Sequence, residues 1–590
     1  MGLGDLVQSV VNVIETGRGR RVVIGALVVV LTLTVLYLHG RHTFHGLWEP
    51  EAMENAQLAR NFAQGKGFTT QCLRPVDFWY TQTHAGKTYD RHKHPDIRRP
   101  PGFPALLAAV FAGVKPRFTV QLRPGMHKPD WRIIARLCIV LTAITAVLVF
   151  VLGTILFDAR VGALGYFLFL LMESVLDASL SGTGDALAML LSTAAAIAAV
   201  LGARWMAAER SAWTWAPCIA GAGALAGAGI LTDYALLVLV PALVVVIGFG
   251  VAGTRRWRAI SLFTLTVCLT AAPWFVRNVT VSGSVAGPGA LALLEGSVVA
   301  GEGDLQRSVK PVYNRLRLQR ALWAKLRAGV ADAYDVDLRT MGNGILVCFF
   351  LVSLFYPLLD PTGNRLRWGA ALSLALLVGA GALYGTRGGR VFNAFLPHVI
   401  LFGTAFFLGA LDREGLAETG LRCLLIALLI VLTGLPAAFR LAPGLREPYP
   451  PYYPAFVKFV CENLQKDEAL CTDIPWASAW YGERTSVLLP RTIEDFEKLH
   501  GERGPFAALY LTEATQRRVR EFGPDSEVAR SWTPVLSGVV PEGFPFREGV
   551  FLPPGRSDQL FLADRVRWRE WSPSGLAEDD ADVRYEGNGP

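Results

Sequence analysis

The sequence predicts an α-helical polytopic membrane protein with about eleven transmembrane helices, followed by a C-terminal extracytoplasmic α/β domain. Three observations predict it. Of the 590 residues, 52% are hydrophobic and only 18% charged, with mean hydropathy +0.35, too apolar for a soluble enzyme of this length. Apolar runs recur from residue 22 to residue 438. Arginines collect in alternate loops between those runs.

Residues 3 to 14 place Leu3, Val7, Val10, Val11 and Ile14 on one helical face, the pattern of an amphipathic helix lying on the cytoplasmic surface, so that 1–21 forms a cytoplasmic segment. Arg18, Arg20 and Arg21 then precede the first run, Val22 to Leu38. His39-Gly40-Arg41 offers no small-residue cleavage site, so the run reads as an uncleaved anchor with the N-terminus inside. Ten more runs follow, at 133–157, 161–176, 186–203, 216–231, 235–252, 259–276, 343–359, 368–384, 391–410 and 420–438.

With that start, the inside loops hold Arg160, Arg204 and Arg210, Arg255, Arg256 and Arg258, Arg365 and Arg367, and Arg413. The outer turns at 174–185 and 232–234 hold no Lys or Arg, and Arg387 and Arg390 alone break the pattern. Scattered in this way, the net charge of +8 reflects loop asymmetry and gives no nucleic-acid footprint. Within a membrane module spanning 22–440, the loops 41–132 and 277–341 lie outside, as does everything from 441 to 590. In that tail, helix-like 455–465 and 492–499 alternate with strand-like 469–473 and 506–511, the pattern of a small α/β domain.

Chemistry is expected at the outer face. Trp48-Glu49-Pro50-Glu51 opens a helix whose first-turn Glu51 is either a capping acid on a solvated surface or a functional carboxylate. His94-Pro95-Asp96-Ile97-Arg98-Arg99-Pro100-Pro101 precedes an apolar stretch too short to span; its two arginines suit lipid phosphates in general or one phosphorylated ligand. Glu173, Asp177 and Asp185 border one turn, with Asp185 at the start of a span, where an ionisable residue points to function. Asp335-Val336-Asp337 reads as an acidic turn, and the histidines at 39, 42, 45, 92 and 94 select no metal geometry. Cys138, Cys218, Cys268, Cys348 and Cys423 fall inside apolar runs, whereas Cys461 and Cys471 could pair in an oxidising compartment. The aromatic segment Thr472 to Arg484 suits either a stacked sugar or peptide, or a packed strand-to-helix turn.

The acid after the first span in PEAM-x-x-AQLARN-x-x-x-GKGF, followed by HPD-x-x-x-PP-x-x-P, resembles GT-C membrane glycosyltransferases, and within them the bacterial protein mannosyltransferase and aminoarabinose transferase branch, family 39-like. Leu231-Thr232-Asp233-Tyr234, Pro273-Trp274-Phe275-Val276-Arg277-Asn278 and Arg390-Val391-Phe392-Asn393 add to the resemblance, which covers residues 20 to 440. It implies a multi-pass enzyme of the bacterial inner membrane, acting in the cell envelope. Such an enzyme moves a sugar from a polyprenyl-phosphate donor to an extracytoplasmic glycan, lipid or protein acceptor, amid membrane lipids and with no required cofactor. Glu51 matches the family's first-loop acid, where many relatives have Asp, and Asp185 matches a second acid near the membrane face. Arg390, with Arg387 and Arg98 or Arg99, matches the arginines that hold the donor phosphate. Glu49, His94, Asp96, Asp233 and Arg277 are further outer-face candidates, and no metal ligand is assigned.

Two other classes compete. A transporter would place its charges near the midplane and show a repeat between its halves, and neither is visible. A lipid-linked polymer ligase would share the outer arginines and differs in the donor it accepts.

Overall fold

The computed structural model describes residues 18–120, 127–250, 253–295, 305–311, 318–333, 341–384, 390–413, 419–440, 454–552 and 559–567. The amphipathic segment 3–14, Arg387 and the Asp335-Val336-Asp337 turn lie outside them.

Among the described residues, seven helices are long and apolar enough to cross a membrane: Gly25–Thr43, Asp130–Leu156, Asp185–Ala207, Ala212–Thr232, Thr254–Ser282, Pro361–Tyr384 and Gly420–Phe439. They coincide with seven of the eleven predicted runs. The other four runs form shorter helices, Ala159–Leu171, Tyr234–Gly248, Ile345–Ser353 and Leu396–Arg413. At 1.5 Å per residue, the nine residues of Ile345–Ser353 fall well short of a ~30 Å hydrocarbon layer.

Small residues set the helix spacing. Ala212–Thr232 carries Gly223 and Gly227 one turn apart, facing Thr254–Ser282; a Cβ at Gly223 would sit 2.0 Å from Thr266 Oγ1, and one at Gly227 2.7 Å from Thr270 Cβ. Gly153 and Gly162 allow a similar approach between Asp130–Leu156 and Ala159–Leu171. Backbones that close gain dispersion contacts that lipid cannot supply. At the periphery, Leu27, Val30, Leu31 and Val35 of the first helix and Leu424, Leu428 and Val431 of the last are exposed, as lipid-facing side chains are.

The tail forms a six-stranded sheet of order β1-β3-β2-β4-β6-β5, with β1 Cys72–Leu73, β2 Ala469–Thr472, β3 Thr485–Leu488, β4 Ala508–Leu511, β5 Glu548–Leu552 and β6 Gln559–Ala563. Its first four strands in that order are parallel, and β6 and β5 are antiparallel. Strand β1 is not a tail strand: it comes from the first long loop and pairs Cys72 with Ser486 and Leu73 with Val487. Helices Pro454–Glu462 and Ile493–Glu502 and strands β2 and β4 match the segments predicted from sequence.

Two buried polar clusters fasten the tail to the loop. Arg60, 2% exposed, donates to the carbonyls of Trp480 at 2.9 Å and Ala479 at 2.6 Å and to Gln71 Oε1 at 2.9 Å. Asp130, wholly buried, accepts from Trp480 Nε1 at 2.9 Å, Tyr481 Oη at 3.0 Å and His127 Nδ1 at 2.9 Å. The Thr472–Arg484 aromatic segment is therefore the packed turn of the two readings: Trp480 and Tyr481 are spent on this junction. Cys461 and Cys471 are both buried free thiols, so the pairing weighed from sequence is not formed.

Candidate functional site

The site is built on helix Pro50–Ala63. Pro50 opens it, and Glu51 follows in the first turn, where a carboxylate meets the positive end of the helix dipole. Glu54 stands three residues on, one turn along the same face. Opposite them, the Asp96 carboxylate accepts the backbone N–H groups of Arg98 at 3.0 Å and Arg99 at 2.7 Å, a tight Asx-type turn. Pro100 then keeps the preceding residue out of the helical region, and the two adjacent arginines diverge.

Arg98 turns to Asp77, Nε to Oδ1 at 2.7 Å. Arg99 turns to the helix, with Nε 2.7 Å from Glu54 Oε2 and Nη1 3.2 Å from Glu51 Oε1. Glu54 is also paired with Arg74. Burial by itself would raise the Glu54 carboxyl, but the two guanidinium groups outweigh it and hold the group at about 2. Burial works against charge on Arg74 and Arg99 as well, yet Glu54, and for Arg99 Glu51, keep both above the ordinary arginine value.

Three helix ends close around Glu51. Thr232, ending Ala212–Thr232, lies so near Gly102 that a Cβ there would meet Thr232 Oγ1 at 2.6 Å, and near enough to Gly184 that a Cβ would meet Thr232 Cγ2 at 3.2 Å. Asp233 follows Thr232 and Asp185 follows Gly184, which brings both acids within electrostatic reach of Glu51. Asp233 caps the next turn through Ala235 N–H at 2.9 Å, and burial pushes its carboxyl up. Arg390, opening the short helix Arg390–Asn393, pairs with Glu49 and lies within electrostatic reach of Asp185 and Glu51. Burial opposes its charge, and Glu49 more than offsets this, so its pKa is raised. The side chain of Glu51 is 42% exposed, and that of Arg390 33%.

The structure thus gathers Glu49, Glu51, Arg99, Asp185, Asp233 and Arg390. Arg98, His94, Asp96 and Arg277 stand behind this group. Arg277 donates to the Asp96 carbonyl at 2.5 Å and lies over Trp274 and Phe68, bracing the Asp96 turn. His94 donates through Nδ1 to its neighbour's carbonyl, Pro95 O, at 2.8 Å and is 1% exposed. Glu54, Arg74 and Asp77 were not singled out from sequence. The one legible signal was the spacing of Glu54 from Glu51, which places both on one helix face.

No family model matches the sequence, and no curated protein matches it. Solved structures do match. The archaeal oligosaccharyltransferase AglB from Archaeoglobus fulgidus, in complex with an inhibitory peptide and a dolichol-phosphate, superposes with TM-score 0.52 at 11% identity, over 83% of this chain and 70% of that one. An Archaeoglobus fulgidus oligosaccharyltransferase in complex with Zn and sulfate gives TM-score 0.51 at 12% identity, over 83% of this chain and 69% of that one. ArnT from Cupriavidus metallidurans aligns over 92% of this chain and 98% of its own at 14% identity, with TM-score 0.43, too loose to carry a structural argument. The chain accordingly has the GT-C membrane fold that its sequence predicts. Glu51 and Glu49 face arginines, and among the described residues no group of three or more His, Cys, Asp or Glu is arranged to hold a metal ion.

Proposed function

We propose that this chain is a glycosyltransferase that moves a sugar from a polyprenyl-phosphate donor to an acceptor on the extracytoplasmic side of the membrane. The observation that carries the reading is the half-open Glu51 carboxylate with Arg99 on one side and Arg390 nearby, at a point where three helix ends meet. A base and phosphate-binding cations stand together at the mouth of a membrane bundle. The arginine bias of the alternate loops supports the reading of that mouth as the outer side.

In this reaction Glu51 accepts the proton of an acceptor hydroxyl as its oxygen bonds to the anomeric carbon. The bond from that carbon to the donor phosphate oxygen breaks, and polyprenyl phosphate leaves with the electron pair. Negative charge grows on the phosphate as it departs, and Arg390 and Arg99 meet it. A guanidinium binds phosphate bidentately and stays protonated in a poorly hydrated site. Phosphate reaching Arg390 takes the place of Glu49 at that guanidinium. Asp185 and Asp233 face the same space from the span ends and are assigned to orienting the acceptor. In this reading the phosphate charge is carried by arginines.

Purified protein offered a panel of radiolabelled polyprenyl-phosphate sugars tests the reading. Turnover of at least one donor is expected, and Glu51→Gln should lower it roughly 10²- to 10⁴-fold while donor binding stays. Wild-type rates in Glu51→Gln would remove Glu51 as the base. Transfer only from a lipid-linked polymer, with none from a monosaccharide-phosphate lipid, would favour a polymer ligase instead.

A further inference from the structure

Behind Glu51 runs a chain of buried charge that begins in the tail. Strand β1 is held by β3 of the tail sheet, and Arg74 is the next residue after β1. Arg74 pairs with Oε1 of Glu54; Arg99 takes Oε2 of Glu54 through Nε at 2.7 Å; and Arg99 Nη1 reaches Glu51 Oε1 at 3.2 Å. The Glu54 side chain is 4% exposed, too enclosed to touch donor or acceptor. Each of its oxygens is spent on a different arginine.

We propose that Glu54 is a positioning residue: clamped by Arg74 at the end of β1, it holds Arg99 against Glu51, so that the tail sheet sets the electrostatic field at the base. The proposal rests on the reading of Glu51 as that base. Arg74, Glu54, Arg99 and Glu51 alternate in sign and sum to zero. Removing Glu54 or Arg74 therefore leaves Glu51 facing a predictable imbalance. Without Glu54, a like charge one turn away disappears and Arg99 bears wholly on Glu51, which then holds its proton less tightly. Without Arg74, Glu54 draws Arg99 to itself, and Glu51 holds its proton more tightly. The other charges facing Glu51 are Glu49 on its own helix, Asp185 and Asp233 from the span ends, and Arg390. Neither substitution alters them, so the opposite signs belong to the relay.

The experiment reads Glu51 directly and needs no substrate. Full-length protein in lipid nanodiscs is treated with a water-soluble carbodiimide and an amine, which couple to the protonated carboxyl, and labelling of the Glu51 peptide is followed by mass spectrometry as pH is varied. Glu54→Gln should lower the midpoint by about half a pH unit, near threefold in labelling at fixed pH, and Arg74→Gln should raise it by a similar amount. Arg74→Lys, which keeps the charge, should leave it in place. The double variant Glu54→Gln with Arg74→Gln removes the buried pair together and serves where a single variant does not fold; its midpoint should lie below that of the wild type. A merely structural Glu54 would change the yield of folded protein and leave the midpoints alone. Midpoints that stay put, or that move the same way in both single variants, overturn the proposal. The acid limb of kcat, measured in parallel with an active donor, should follow the same signs. Shifted midpoints with no turnover of any donor would leave the relay standing and remove the sugar-transfer reading; turnover with unmoved midpoints would do the reverse.

Discussion

Replacing Asp130 by Ala should loosen the tail from the end of the first long loop, where the span Asp130–Leu156 begins. The carboxylate is fully buried and accepts three hydrogen bonds, from His127, Trp480 and Tyr481, at 2.9 to 3.0 Å. Alanine leaves the His127 and Trp480 donors of this cluster without that acceptor, while the Tyr481 hydroxyl keeps the Leu47 carbonyl at 3.4 Å. A buried donor stripped of its partner costs about 1–3 kcal/mol, so the two together set a ceiling of roughly 6 kcal/mol. Water entering the vacated space recovers part of this, and the expected loss is about 3–5 kcal/mol. Trp480→Phe removes one donor and leaves the carboxylate its other two, so it should cost only about 1–2 kcal/mol. Asp130→Asn keeps one acceptor oxygen and should fall between them. Thermal unfolding of the purified protein in one detergent, with limited proteolysis to show which part opens first, ranks the three. An Asp130→Ala protein as stable as Trp480→Phe, or a tail that resists cleavage in Asp130→Ala, would refute the idea that this cluster joins tail and loop.

Four other outcomes follow from the geometry. Glu54 is lowered from 4.5 to about 2 in the folded state, so its contribution of roughly 3 kcal/mol is complete above pH 4.5 and is lost as pH falls toward 2; acid titration of Glu54→Gln should lack this component, and identical acid profiles would contradict it. Arg390→Ala should weaken donor binding about tenfold or more while the Glu51 labelling midpoint rises, because a facing cation is lost; unchanged affinity for the phospholipid sugar in a direct binding assay would count against its role. Gly223→Val should prevent Ala212–Thr232 from packing on Thr254–Ser282, since the first added carbon already meets Thr266 Oγ1 at 2.0 Å; a normal yield of monodisperse protein would argue that the two helices separate freely. Burial pushes the Cys461 thiol up to about 12 and raises that of Cys471 as well, so neither should react with maleimide until the protein is unfolded; rapid alkylation of native protein would show that the tail core opens.

The sequence carried the coarse architecture because its signals are local. Apolar runs placed the ends of the long helices to within about seven residues, and period changes marked β2, β4 and the helices Pro454–Glu462 and Ile493–Glu502. Glu51, Asp185 and Arg390 were also named together, and the structure brings them within reach of one another. The Arg98-Arg99 pair was legible as a phosphate-binding candidate, but the direction of each side chain was not. That direction depends on the Asp96 turn and on Asp77 and Glu54, which lie far from the pair in sequence. Two residues of β1 are too few to show any alternation, so nothing in Cys72-Leu73 marks a strand until β3 is beside it. Trp480 looked available for a ligand because its acceptor, Asp130, sits 350 residues earlier in the chain. Four of the eleven apolar runs form helices shorter than the other seven.

The loan of β1 to the tail sheet has a consequence for biogenesis. Arg60 meets Ala479 across 419 residues of sequence, and β1 finds β3 over a similar interval. During synthesis the whole bundle is therefore threaded into the bilayer before the loop receives its last strand partner, and contacts so distant form late. Until the ribosome has released β3, Arg74 has no anchored strand behind it. A nascent or truncated chain would thus sit in the lipid with the clamp on Glu54 still unsupported, the last part of this region to be completed.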